Sequence, residues 1–260
     1  MKTEPALKHD DWDAHWDSYA AAASKNPAQQ MRHELVTKWL RRAGAHSGAR
    51  VLDIGSGQGD FLAKLRREMP AAKLAGLELS ARGVEISRRK VADADFMVAD
   101  LFHPPAEITK YTGWATHAVC SEVLEHVDAP TEFLKAARPL LAHEGYLIVT
   151  VPGGPMSAFD RHIGHRRHFD RRAITRVLED AGFAVKHTRL SGFPFFNLYR
   201  LVVIARGKRL VSDVEHGREG PSSRLADAIM GSFRALFRLN LNDSPFGWQV
   251  VAVAQKINRG

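Results

Sequence analysis

Apolar positions at Met31, Leu35, Trp39 and Leu40 recur at helical spacing and stop before Gly44, which predicts a helix over 29–44. Beyond it, short apolar runs alternate with helix-period segments. Strands are predicted over 50–54, 73–79, 95–99, 115–120, 145–151, 183–190 and 248–256, and helices over 60–69, 80–91, 130–141 and 171–181. Apolar strands separated by helices predict a parallel sheet covered on both faces. Two further helical segments, 194–211 and 223–239, interrupt the alternation and are joined by a polar linker over 215–223. The expected organisation is an N-terminal helical cap over 1–45, an α/β core over 46–192, a helical insertion or lid over 193–245, and a final core strand over 246–260.

Composition narrows the class. The chain has 260 residues, 45% hydrophobic and 25% charged, as in ordinary soluble domains. One cysteine, Cys120, excludes a disulfide framework or a cysteine metal cluster and suits a reducing compartment. The first residues lack the apolar stretch of a signal peptide, and the apolar run over 193–205 is too short to span a bilayer and contains Asn197 and Arg200. A soluble, cytoplasmic protein is expected. Of the 37 Lys and Arg residues, 12 lie between 151 and 210 beside only four acids, and the rest of the chain balances at 25 of each sign. Such a segment suits a phosphorylated substrate, nucleic acid or an acidic membrane surface, or is simply a solvated face.

The segment Val51-Leu52-Asp53-Ile54-Gly55-Ser56-Gly57-Gln58-Gly59 joins a predicted strand to a predicted helix. Glycines there let backbone amides approach a ligand. A dinucleotide fingerprint would require a third glycine or alanine where Asp60 stands. Asp53 is a poor neighbour for a pyrophosphate but suits a ligand carrying an ammonium and a sulfonium, which describes S-adenosylmethionine. Glu78 ends the second strand, where a carboxylate can accept from both ribose hydroxyls, and Asp100 follows the third, where it can accept from the adenine amino group. Each acid alone could serve as a turn or cap residue. Together they trace one ligand across three successive strand ends.

The stretch 51–151, carrying these residues and Ser121-Glu122-Val123-Leu124-Glu125-His126-Val127, resembles the core of the class I S-adenosylmethionine-dependent methyltransferases. The resemblance implies a Rossmann-like, seven-stranded mixed sheet whose last strand is antiparallel, with helices on both faces. It implies a cofactor site drawn from Asp53, Gly55, Ser56, Gly57, Gly59, Glu78, Leu79, Asp100, Leu101 and Glu122.

Glu122, Glu125 and His126 stand at i, i+3 and i+4, so a helix starting after the fourth strand would place them on one face. Two carboxylates and an imidazole could hold Mg²⁺ or another divalent cation such as Mn²⁺. The pattern is similar to that of ubiquinone-pathway O-methyltransferases and small-RNA 2′-O-methyltransferases. In the RNA enzymes a later histidine completes the metal shell, and by that resemblance His165 or His168 would do so here. The alternative is a helix capped by Ser121 whose first-turn acids favour its positive end.

Three histidines lie within Asp160-Arg161-His162-Ile163-Gly164-His165-Arg166-Arg167-His168, after the fifth strand. They supply candidate general bases and the arginines candidate anion clamps. His126, His165 and His168 are the candidate catalytic residues. The first insertion helix, rich in Phe193, Phe195, Phe196, Tyr199 and basic residues, reads as a lid, a dimer surface, a membrane-surface helix or core packing. Trp12, Trp16 and Tyr19 form a helical stripe that could close over the site or simply pack. The expected activity is methyl transfer to a small-molecule acceptor, a hydroxyl on an apolar or lipid-linked biosynthetic intermediate. The alternatives are 2′-O-methylation of RNA, for which no stacking motif argues, and a non-catalytic cofactor-binding regulator. A homodimer or a peripheral membrane contact is compatible with the sequence.

Overall fold

The computed structural model describes Trp12, Asp13, Trp16, residues 26–215 and residues 224–257, with side chains over 207–229 left aside. Tyr19, about half of the expected cap, nearly all of the linker and the Lys208 and Arg209 side chains lie outside the described residues.

Seven strands form one sheet: β1 (Arg50–Ile54), β2 (Lys73–Glu78), β3 (Asp95–Val98), β4 (Ala115–Ser121), β5 (Leu141–Pro152), β6 (Phe183–Ser191) and β7 (Gln249–Lys256). Their order is β3-β2-β1-β4-β5-β7-β6. β7 enters between β5 and β6 and is antiparallel to both, while the remaining pairs are parallel. This is the expected mixed α/β sheet.

Alternation along the strands builds two cores. Leu52, Ala118, Leu147 and Val149 face one side, with Leu124, Leu134, Ile174 and Phe183. Val51, Val119 and Ile148 face the other, against α1 (Pro27–Arg42), α2 (Asp60–Glu68) and α3 (Ala81–Lys90) through Leu35, Val36, Leu40, Leu62, Leu65 and Val84. Successive strand side chains point to opposite faces, so a strand buried on both sides is apolar throughout. α4 (Pro130–Ala137) and α6 (Arg171–Asp180) cover the first face. No helix among the described residues is long and apolar enough to cross a membrane.

Three local expectations are corrected. β5 begins at Leu141, four residues early, because Leu141 pairs with Ala115 and is buried, with the register shift absorbed before His117 and Glu144 at φ 56°. A short helix, α5 (Ala158–His162), occupies the histidine-arginine loop and is started by the reciprocal Ser157–Asp160 capping box. No helix follows β4 directly: residues 122–129 form bends and turns with Glu122 at φ 56°, and α4 begins only at Pro130. The one-face argument for Glu122, Glu125 and His126 therefore fails.

The insertion forms α7 (Phe195–Glu215) and α8 (Arg224–Leu236). Phe196 and Phe237, with Tyr199 and Phe233, pack on Ala28 and Met31 of α1. Leu198, Leu201 and Val202 on α7 stay exposed.

Candidate active site

The turn after β1 carries Gly55, Gly57 and Gly59 at φ 75°, 54° and 78°, a region that favours glycine. The amides of Gly55 and Ser56 donate to the Leu77 carbonyl at 2.8 and 2.9 Å, tying the turn to the end of β2. Glu78 continues the bracing: its Oε2 accepts from Gly57 N–H at 2.7 Å and its Oε1 from Ser80 N–H at 3.0 Å. Asp53 and Glu78 are both buried. Burial, and then the neighbouring Glu78, push the Asp53 carboxyl up to about 7, and burial also raises Glu78. Two buried acids with no cation beside them among the described residues form a site that would gain from a cationic ligand.

The N-terminal segment lies over this turn. A Cβ on Gly57 would meet the Trp16 ring at 2.6 Å, and a Cβ on Gly83 would meet both Trp16 Cδ1, at 3.2 Å, and Glu78 Cγ, at 3.1 Å, so the indole lies beside Glu78. Asp13 accepts from the Ser80 hydroxyl at 2.5 Å and from Arg82 N–H at 3.1 Å. Trp12 packs edge-on against His126 with ring centres 4.9 Å apart. One segment thus spans the glycine turn and the histidines, and a ribose reaching Glu78 would have to displace the indole. The buried carboxyls and the glycine turn fit S-adenosylmethionine once the indole gives way.

The other expected cofactor residues are spread along the same edge. Ser56 is buried with its Oγ lacking a hydrogen-bond partner among the described residues. Leu79 is exposed and Leu101 buried. Asp100 is partly exposed, accepting from Phe102 N–H at 2.9 Å and lying 2.9 Å from His103 Nδ1.

Glu122 is engaged by other partners. Its Oε1 accepts from Thr150 Oγ1 at 3.1 Å and Gln249 Nε2 at 2.9 Å, and its Oε2 lies 3.6 Å from Arg32. Glu125 instead converges with His126 and His165, their potential ligand atoms all within 4.8 Å of one another. Glu125 is fully buried, and neither carboxylate oxygen has a hydrogen-bond partner among the described residues. Burial, and next Glu122, hold its carboxyl well above the usual range. An orphaned carboxyl between two imidazoles fits a divalent cation, and nitrogen-rich donors suit Zn²⁺, Mn²⁺ or Fe²⁺ better than Mg²⁺, which prefers oxygen.

The histidines form a chain. His168 Nδ1 lies 2.9 Å from the Gly154 carbonyl, which can only accept, so His168 carries its proton on Nδ1. His168 Nε2 lies 3.3 Å from His165 Nδ1. With that nitrogen accepting from His165 Nδ1–H, the His165 lone pair falls on Nε2. Burial, then His126, lower His165 to about 3, so it stays neutral. Behind them Asp160 accepts two bonds from Arg200, at 3.0 and 2.8 Å, and its backbone carbonyl accepts from His165 N–H at 2.9 Å. The sequence marked Asp160 and Arg200 only as charges. Ser157-x-x-Asp160 is a capping signature that could have revealed the first, but nothing local points from Arg200 to it.

The glycine turn and histidine cluster meet at Val123, since a Cβ on Gly55 would fall 2.4 Å from Val123 Cγ2. A mixed sheet of this order, with the candidate cofactor residues at the carboxyl ends of β1–β3 and the histidines beyond β4 and β5, defines the class I methyltransferase architecture. The chain belongs to the S-adenosylmethionine-dependent methyltransferases, matching over residues 28–188 the family described as the methyltransferase domain. It is 27% identical over 143 residues to the ubiquinone biosynthesis O-methyltransferase of Bordetella avium, covering 52% of this chain and 58% of that protein. The chain thus spans little more than half the length of that curated relative. Among solved structures it is similar to the cyclase SpnF, with TM-score 0.60, 19% identity, and coverage of 88% of this chain and 82% of that one. It is also similar to phosphoethanolamine N-methyltransferase 2 of Haemonchus contortus, solved with S-adenosylmethionine (TM-score 0.56, 16% identity, 86% of this chain and 52% of that one). At these identities the structural likeness is one of fold.

Proposed function

We propose that the chain transfers the methyl group of S-adenosylmethionine to a hydroxyl oxygen of a small-molecule acceptor. The observation that carries this reading is the convergence of His165 with Glu125 and His126, their potential ligand atoms within 4.8 Å of one another, next to the glycine turn. In-line displacement breaks the sulfur–methyl bond and forms an oxygen–methyl bond. The bond's electron pair stays on sulfur, and the hydroxyl proton passes to His165 Nε2. Asp53 would face the cofactor's positive charge and Glu78 its ribose, with Asp100 at the adenine end. His168 and Asp160 would hold the His165 ring in its reactive tautomer. The segment bearing Trp12 and Trp16, with the insertion as a lid, would keep water from the sulfonium. A divalent cation held by Glu125, His126 and His165 would take up that Nε2 lone pair, and would then stand in for the imidazole by lowering the pKa of the acceptor hydroxyl. The quinone-pathway relative supports a hydroxylated small molecule as acceptor.

The test is transfer of a labelled methyl group from S-adenosylmethionine to phenolic and catecholic acceptors. His165→Gln should lower transfer by roughly 10²–10⁴-fold while cofactor binding persists. Transfer to RNA alone, or undiminished transfer by the variant, would overturn the reading.

A further inference from the structure

A second cavity lies beyond the histidines, where β5, β6 and β7 end beneath α7. It is about 560 Å³ and is lined by Leu190, Phe193, Leu198, Leu201, Phe246 and Trp248, together with Gly154 and Phe169. That size and apolar lining are those of small-molecule sites. Several of its polar atoms are engaged within the fold. Asn197 Nδ2 donates to the Phe246 carbonyl at 2.6 Å, and its Oδ1 accepts from Trp248 N–H at 3.1 Å. The Trp248 carbonyl accepts from Gly153 N–H at 2.8 Å, and Asp170 Oδ1 from Ala173 N–H at 2.7 Å. The lining offered to an occupant is mostly carbon surface, which favours an apolar group.

The mouth faces outward. Leu198 and Leu201 are each 50% exposed and Phe246 65%. The groove adjoins the histidine cluster, because Gly154, one of its lining residues, has its carbonyl 2.9 Å from His168 Nδ1.

Resting on the acceptor reading above, we propose that this groove seats the hydrocarbon chain of the acceptor, whose hydroxylated head crosses Gly154 to His165. The groove is then a specificity site separate from both the cofactor turn and the reacting atoms. Exposed leucines at its mouth, costly on a free surface, are accounted for by a chain that covers them.

The test is equilibrium binding of para-ethylphenol and para-octylphenol to the full chain below micellar concentrations. Each methylene buried should tighten binding by about fourfold, so the octyl compound should bind at least roughly a hundredfold more tightly. Leu198→Glu and Leu201→Glu, both partly exposed and so compatible with folding, should each weaken the octyl compound by about tenfold or more. S-adenosylhomocysteine binding should stay unchanged. Leu239→Glu, also exposed but outside the groove, should leave octylphenol binding intact. Affinity independent of chain length, or equal loss in Leu239→Glu, overturns the groove proposal, even if methyl transfer to short phenols is observed. Chain-dependent binding lost only in the groove variants supports it, even if no acceptor is methylated and the O-methylation reading fails alone.

Discussion

Arg200 of the insertion and Asp160 of the histidine segment meet as a two-pronged ion pair, Nη1 to Oδ1 at 3.0 Å and Nη2 to Oδ2 at 2.8 Å. Asp160 is 1% exposed, and the guanidinium, acting with Ser157 against the cost of burial, holds its carboxyl down at about 2. The same carboxylate accepts Ser157 N–H at 2.7 Å and lies 3.8 Å from His168 Nε2. The pair therefore fastens α7 to the segment that positions His165 and His168.

Breaking one side of such a buried pair should be costly. Arg200→Leu is expected to lower unfolding stability by about 3 kcal/mol, read by chemical denaturation, because Asp160 is left charged and without its partner. Arg200→Lys should recover only part of that loss, since a point charge cannot match both oxygens. Equal stability of wild type and Arg200→Leu would contradict the latch.

Asp53 should make cofactor binding pH-dependent. Its carboxyl holds a proton up to about 7 in the folded chain, against an ordinary 3.8. A cationic cofactor favours the ionised form, so affinity should weaken as pH falls through about 7, by up to about tenfold per unit. The same shift means that the folded chain keeps a proton that the unfolded chain has lost between these two values, so this group destabilises the fold as pH rises across that window. Titration calorimetry with S-adenosylmethionine between about pH 8 and about pH 5.5 measures the first effect. Asp53→Asn should bind weakly and show no such slope. A flat wild-type profile would count against Asp53 as the group facing the sulfonium or ammonium.

Glu125 should show a trade of stability for function. A fully buried carboxyl without a hydrogen-bond partner costs about 1–3 kcal/mol. Glu125→Met should therefore raise the stability of the free protein by about 1 kcal/mol while lowering methyl transfer at least roughly a hundredfold. Denaturation and turnover on the same preparation decide it. A loss of stability would show that the free protein already satisfies this carboxyl.

Much of the molecule follows from local pattern. Short apolar runs and period-3.6 apolar repeats located every strand of the sheet and nearly all the helices, because each pattern expresses which faces of a segment must leave water. The glycine spacing after β1 and the acids at the ends of β1, β2 and β3 were legible for the same reason: positive φ and strand termini are properties of a few consecutive residues. Tertiary structure decided what depends on partners far along the chain. It placed β7 between β5 and β6, and it joined Arg200 to Asp160 across 40 positions. The Glu122-to-His126 spacing suggested a helix, but Glu122 lies at φ 56°, bonded to Thr150 and Gln249, and Glu125 was left to meet His165 instead. A sequence specifies which faces bury and where the backbone turns. Which buried polar groups find one another is settled only when packing brings distant segments together, because hydrogen bonds and ion pairs act over a few ångströms of space, whatever their separation in sequence.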